Sequence, residues 1–295
     1  MISAAFAYSR ASTVDEALSL LMEHGSDAKL IAGGQSLLPL MKLRLARPDR
    51  LIDIGRIDSL RGVRKMPDGR LSIGALTTYA QLLGDSSVMG LALMADALPR
   101  IADVQVRNRG TIGGAIAHAD PAADLPAVLL ALEAEVVARS AHHGERTIPI
   151  GEFFDGAFST ALAADELLTE IRVPAPSGSY GSAYRRLEQP ASGFAIAGVA
   201  AVVGRTGSNG TSDGEVGDVR VAVTGVGDHP YRATSVEKAL RGTKLGSAAI
   251  GSAVASICEG ITVQSDIHAD RAYRSAMAEV MARRALEAAR ERLVE

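Results

Sequence analysis

Two short stretches of this sequence set a hydroxyl residue beside paired glycines: Ala32-Gly33-Gly34-Gln35-Ser36 and Thr111-Ile112-Gly113-Gly114-Ala115. A residue without Cβ lets the backbone approach a ligand and adopt positive φ, so several N–H groups can converge on one anion. Ser36 and Thr111 add hydroxyl donors, and a helix after the first turn would add its positive end. Either pair alone reads more simply as a tight turn. Together they suit the two phosphates of a dinucleotide better than two unrelated turns. The second lies within residues 110–124, a stretch richer in glycine and alanine than a surface loop needs.

Two carboxylates, Asp120 and Asp124, follow the second turn. Either can accept hydrogen bonds from sugar or ribityl hydroxyls, a contact that needs acceptors rather than cations. Each also has a plain reading. Asp124 precedes Leu125-Pro126 and suits a helix N-cap, and Asp120 before Pro121 suits a turn. Other chemistry finds little support. Gly34-Gln35-Ser36-Leu37-Leu38 lacks the closing glycine of a nucleophile elbow. Gly225-Val226-Gly227 lacks the third glycine of a dinucleotide fingerprint. His118 with Asp120 and Asp124, or the pair His142-His143, matches no metal-site spacing. Cys258 in an alanine-rich stretch reads as a small buried hydrophobe.

The elements that must hold these residues are partly legible. Thr13-Val14-Asp15-Glu16 is a capping box that opens a helix stopped by Gly25. A strand at residues 29–32 runs straight into Gly33-Gly34, a helix is expected over 37–45, and a second strand over 51–54. Met66-Pro67-Asp68-Gly69 turns a hairpin between residues 63–65 and 71–73. Helices are expected at 78–83, 91–104 and 126–132, with residues 107–123 irregular. Strands follow at 135–138, 147–150 and 167–173, and residues 174–179 read as a domain linker. Beyond it lie β runs at 195–203 and 219–226, joined by a polar loop at 205–218, then two helices. In the last, Tyr273, Met277, Val280, Met281, Ala285 and Ala288 mark one apolar face.

The 295 residues suggest about two domains, and 47% hydrophobic with 22% charged residues is an ordinary globular composition. A net charge of −3 gives no reason to expect nucleic acid or an anionic membrane. No apolar run reaches the ~18 residues of a membrane span, and the start has no basic n-region. One cysteine excludes an internal disulfide and a cysteine-ligated iron–sulfur cluster within this chain. The chain reads as a soluble cytoplasmic protein of the α+β class, with a larger N-terminal and a smaller C-terminal part.

Across nearly its whole length the sequence resembles the FAD-binding medium subunit of the molybdenum hydroxylases, the carbon monoxide dehydrogenase and xanthine dehydrogenase family. The matching text is residues 32–37 (AGGQSL), 41–46 (MKLRLA), 103–124 (DVQVRNRGTIGGAIAHADPAAD), 166–171 (ELLTEI) and, from Tyr273, the last helix. The resemblance implies a two-lobed FAD-binding domain of the vanillyl-alcohol oxidase type over residues 1–176, split near 55. A smaller α+β domain over 180–295 would follow. It implies that Ala32, Gly33, Gly34, Gln35, Ser36 and Leu37, with Lys29 in the strand before them, line the cofactor. Thr111, Gly113, Gly114 and Ala115 would line it from the second turn. Asp124 matches the carboxylate that binds FAD hydroxyls, with Asp120 beside it. Leu168 matches a leucine near the isoalloxazine, Ile101 an apolar contact to the ring, and Arg186 a basic residue near it. A fixed positive charge there would stabilise the anionic reduced flavin. The chain departs from the family pattern at Gln35, Ala115 and Phe194, and Arg186 replaces a common lysine.

By the same resemblance, a large molybdenum-cofactor subunit oxidises the substrate and a small subunit carries two [2Fe-2S] clusters. Electrons then reach FAD on this chain, in a dimer of heterotrimers. Two alternatives stay open at the level of the residues: a scaffold subunit without FAD, and a stand-alone flavoenzyme on the same fold.

Overall fold

The computed structural model describes residues 2–175, 178–205 and 214–293. The chain begins with three parallel strands, Ala7–Arg10, Ala28–Ile31 and Arg50–Asp53, with the last in the centre. Helix Val14–His24 crosses one face and buries Ala17, Leu18 and Leu21 against Ala28 and Ile52. The Thr13 hydroxyl caps it by accepting the Glu16 amide at 3.1 Å. Glu16 returns its carboxylate to the Ser12 amide and hydroxyl instead of completing the box on Thr13. Parallel pairing puts all three carboxyl ends on one edge, where open sheets hold ligands. The first glycine turn leaves from that edge.

A five-stranded antiparallel sheet follows, in the order Val63–Lys65, Leu71–Gly74, Glu166–Val173, Glu135–Ser140, Gly144–Pro149. Gly69 takes φ +86 in the expected hairpin turn and donates its amide to Met66. Helices covering this sheet bury Leu93, Met94, Leu98, Ile112, Ile116 and Leu129 against it. Residues 107–123 are not irregular, since Val104–Arg109 and Ile112–His118 are helices. Residues 91–104 are not one helix. Ala92–Ala97 runs into a 3₁₀ turn at Leu98–Arg100, and the chain reverses at Ala102, with φ +44. The helix after the first turn spans only Leu37–Lys42.

The C-terminal sheet has four antiparallel strands, Tyr180–Glu188, Ala195–Gly204, Asp218–Thr224 and Tyr231–Arg232. Helices Thr234–Leu240, Ser247–Val254 and Arg271–Glu291 cover one face of it. Every residue of Ala195–Gly204 is buried. Ala197, Val199, Ala201 and Val203 enter the C-terminal core, while Ala200 and Val202 join the core of the N-terminal part. Burial on both faces explains an unbroken apolar run where period-2 alternation is usual. The buried stripe of the last helix keeps Met281 and Ala285 of the expected face, with Met277, Val280 and Ala288 at its margin, and extends to Ala278, Ala282, Leu286 and Ala289, while Tyr273 is exposed. The expected linker at 174–179 and the loop at 205–218 lie partly outside the described residues. No helix among the described residues is long and apolar enough to cross a membrane.

Candidate functional site

The two glycine turns, 78 positions apart in sequence (Gly33 to Thr111), pack directly on each other. A Cβ built on Gly33 would lie 2.0 Å from the Arg109 carbonyl oxygen and 3.2 Å from Gly110 Cα. Gly33 therefore sets how closely the parallel sheet approaches the second turn. Gly34 takes φ +74, in the region only glycine enters freely. Among the described residues, the amides of Gly33, Gly34, Gln35, Ser36 and Leu37 have no hydrogen-bond partner. The Gln35 side chain donates to the Gly33 carbonyl at 3.2 Å and leaves those amides free. Free donors on Gly33, on the positive-φ Gly34 and on the three residues after it can converge on one anion as a nest, the chemistry a diphosphate needs.

The second turn serves differently. Thr111 caps helix Ile112–His118, its hydroxyl oxygen accepting the Gly114 amide at 3.2 Å. The Ile112 amide donates to Thr77, the Gly113 amide to Ala75 at 2.9 Å, and the Ala115 amide to Thr111. These donors are already engaged, so the second turn supplies a surface and a fixed position rather than a second nest. Gly113 is required because a Cβ there would meet the Ala75 backbone at 2.7 Å.

Asp124 is not the N-cap. Ala123 holds that place, and Asp124 is the first residue of helix Asp124–Ala131, only 6% exposed. Its carboxylate accepts from the Tyr184 hydroxyl at 2.6 Å and from Arg186 Nη1 at 2.5 Å. Burial raises the Asp124 carboxyl above its ordinary range, while the Arg186 charge and the Tyr184 hydroxyl oppose that rise. Arg186 Nη2 donates to the Arg100 carbonyl at 2.5 Å and to Glu188 at 2.7 Å. Asp120 acts as a turn residue, one oxygen accepting the Ala122 amide at 2.9 Å.

Ile101 is half-buried beside the strained Ala102. Arg107 donates to the carbonyls of both, each at 2.8 Å. Phe194, 47% exposed, closes the base of the loop between Tyr180–Glu188 and Ala195–Gly204, its carbonyl accepting the Gln189 amide at 2.9 Å. A Cβ on its neighbour Gly193 would lie 4.0 Å from Ala102 Cα, so that hairpin and the Ile101 loop lie side by side. Leu168 is 5% exposed, at a register shift in Glu166–Val173, inside the main core. Lys29 is exposed, paired in register with Leu51.

Two clusters result. One joins residues 33–37 to 109–115. The other joins Asp124, Arg186 and the loop at 100–102. Tyr79 links them: a Cβ on Gly110 would meet its ring at 2.8 Å, and its hydroxyl pKa is raised by burial and by the Asp124 charge. Tyr79, Arg107 and Tyr184 were not singled out from sequence. The spacing of Tyr184 and Arg186, alternate residues of one strand, is the only sequence signal that pairs any of them with the site. His118 rests against the Phe158 ring at 5.1 Å, and no group of three metal-ligating side chains occurs among the described residues.

Residues 4–176 match the family described as the FAD binding domain in molybdopterin dehydrogenase, and residues 182–289 the CO dehydrogenase flavoprotein C-terminal domain. The chain belongs to the FAD-binding medium subunits of the molybdenum hydroxylases. It is 43% identical to the carbon monoxide dehydrogenase medium chain of Hydrogenophaga pseudoflava, with 98% of each chain covered. It is 38% identical to the glyceraldehyde dehydrogenase medium chain of Sulfolobus acidocaldarius, over 96% of this chain and 97% of the relative. Among solved structures, a carbon monoxide dehydrogenase from Hydrogenophaga pseudoflava superposes with TM-score 0.93 at 43% identity and full coverage of both chains. Quinoline 2-oxidoreductase from Pseudomonas putida 86 gives 0.89 at 29% identity, over 99% of each. As a medium subunit of this family the chain is an FAD-binding oxidoreductase component with an electron-transfer role, working with large and small subunits.

Proposed function

We propose that the free amides of residues 33–37 hold the FAD diphosphate, with Thr111, Gly113, Gly114 and Ala115 as the opposite wall. The unpartnered donors of Gly33 to Leu37, around the positive φ of Gly34, carry this reading. Ser36 adds a hydroxyl to the nest, and Lys29, Ala32, Gln35 and Leu37 border it. The flavin end then points toward Ile101 and Leu168, with Asp120 and Asp124 on the ribityl side. Bound FAD supplies the ability to take electrons singly and to release them singly or in pairs. The protein's part is to hold the cofactor, shield it, and fix its distance from a donor on a partner chain. The fold divides for this purpose into a flavin-binding domain over residues 1–176, two-lobed with a split near 55, and a second domain from about residue 180.

The partners are a large subunit with the molybdenum cofactor and a small subunit with two [2Fe-2S] clusters, assembled as a dimer of heterotrimers in the cytoplasm. The substrate belongs to the large subunit. Among the relatives, enzymes of carbon monoxide, glyceraldehyde and caffeine all carry a chain of this kind. The test is turnover. The purified chain reconstituted with FAD should oxidise no organic substrate until both partner subunits are added. Robust dehydrogenase activity from the lone chain would defeat the division of labour.

A further inference from the structure

Arg186 stands where the family resemblance places a positive charge near the flavin ring, yet its surroundings describe a different task. Its side chain is 1% exposed. Nη1 faces Asp124 at 2.5 Å, while Nη2 is shared between the Arg100 carbonyl and Glu188. One cation thus meets two carboxylates. Asp124, buried and in contact, opposes its field. The Nε of Arg186 has no partner, but Arg220 and Arg274 share that condition, so it does not point to a ligand.

The guanidinium joins two segments that both border the proposed flavin site. One is the loop at 100–102, held from its other side by Arg107. The other is the loop before helix Asp124–Ala131. Its carbonyls are bound by the C-terminal sheet: the single Thr224 hydroxyl proton is shared between the carbonyls of Pro121 and Ala123, each 2.8 Å from Oγ1, and the Gly225 amide donates to Pro121 at 2.8 Å. The strand carrying Arg186 is anchored in turn by Asp96, which accepts from the Tyr184 amide at 3.0 Å and from Arg185 and Arg292 at 2.8 Å.

We propose that Arg186 is a clasp that closes the flavin pocket by tying the 100–102 loop to Asp124, and that it does not set the flavin potential. This rests on the proposed placement of FAD. A planar fork that reaches a carboxylate from one nitrogen and a carbonyl from another is arginine chemistry, and a lysine ammonium, with one nitrogen, does not reproduce that fork. The C-terminal domain then contributes to flavin retention by holding the walls, and charge alone at position 186 is insufficient.

The test uses the full chain with Arg186→Lys, Arg186→Met and Glu188→Gln. FAD dissociation constants are read from flavin fluorescence, and midpoint potentials from mediator-equilibrated reductive titration. Arg186→Lys and Arg186→Met should both weaken FAD binding at least tenfold. Asp124, left buried without its cation in Arg186→Met, takes up a proton, so the flavin that stays bound should show an oxidised-to-reduced equilibrium within tenfold of wild type, about 30 mV for a two-electron couple. Wild-type affinity in Arg186→Lys, with a larger potential shift in Arg186→Met, would overturn the clasp and restore the charge. Glu188→Gln removes a half-exposed partner and covers the case in which the arginine variants do not fold. It should leave affinity within about twofold, because Asp124 and the Arg100 carbonyl still hold the guanidinium, and the potential unchanged, because the half-exposed charge at 188 is screened by solvent. A rise of more than that tenfold equivalent would overturn the inference. A folded wild-type chain that takes up no FAD would instead overturn the flavin placement itself, and the clasp with it.

Discussion

Replacing Gly33 with alanine tests the packing of the two turns most sharply. The added Cβ would sit 2.0 Å from the Arg109 carbonyl oxygen and 2.7 Å from its carbon, both backbone atoms that no rotamer change can move aside. Real Cβ contacts essentially never fall under 3.0 Å, so the turns must separate by about 1 Å at that point. Overpacking of this kind costs about 1–3 kcal/mol of stability, which a chain of this size tolerates. The nest bears the larger effect. If two of its five amides lose their bonds to the diphosphate, at about 1.5–3 kcal/mol for each charge-assisted bond, the loss is ~3–6 kcal/mol. That corresponds to roughly 10²- to 10⁴-fold in FAD affinity. The assay is FAD per chain after purification, followed by titration of the apo chain, with circular dichroism to show that the fold persists. Gly151→Ala, where nothing lies within 4 Å of the added Cβ, is the control and should bind FAD normally. A Gly33→Ala chain that retains wild-type FAD content would refute the contact between the turns as the basis of the site.

Tyr184→Phe removes one donor from the buried Asp124 carboxylate and should destabilise the apo chain by about 1–3 kcal/mol, read by denaturant unfolding; an unchanged midpoint would mean that the hydroxyl is not engaged there. Gly114→Leu should dislodge the Thr111 cap, since even a Cβ at 114 lies 2.7 Å from that hydroxyl oxygen, and FAD retention should fall while the rest of the fold survives; retention at wild-type level would remove the second turn from the site. Hydrogen bonds from Arg146, at 2.6 and 2.8 Å, hold Glu166 below the usual glutamate range against the opposing effect of its burial. A carboxylate whose folded pKa is depressed adds stability above the ordinary value near 4.5, and loses it as pH falls through the lower folded value. The melting-temperature gap between wild type and Glu166→Gln should therefore narrow on acidification, and a gap that widens would contradict the ion pair.

Local signals carried much of this structure. The Thr13 cap, the Asp68-Gly69 hairpin turn and the apolar run through Ala195–Gly204 each state an element without help from the rest of the chain. The helices around the second turn were hidden because their composition answers to contacts and not to periodicity. Gly110, just past the first of them, yields to the Tyr79 ring, and Gly113, inside the second, to the Ala75 backbone, so a glycine occupies a helical position where propensity would not put it. Strand Tyr180–Glu188 was hidden by its own function, since Arg185 and Arg186 interrupt the apolar alternation in order to reach Asp96 and Asp124. In the site, the glycine pairs and Asp124 stood out by residue type. Their division of labour did not, because it depends on which amides find partners in the fold. The pairing of Asp124 with Tyr184 and Arg186 spans about 60 positions and leaves no local trace.

In the proposed site, the amides of residues 33–37 hold the FAD diphosphate. Calorimetric titration of the purified, deflavinated chain with FAD tests it most directly. Saturable binding at one FAD per chain, lost in Gly33→Ala and kept in Gly151→Ala, is the expected result. A folded chain that binds no FAD, or binds it equally in both variants, would contradict the account.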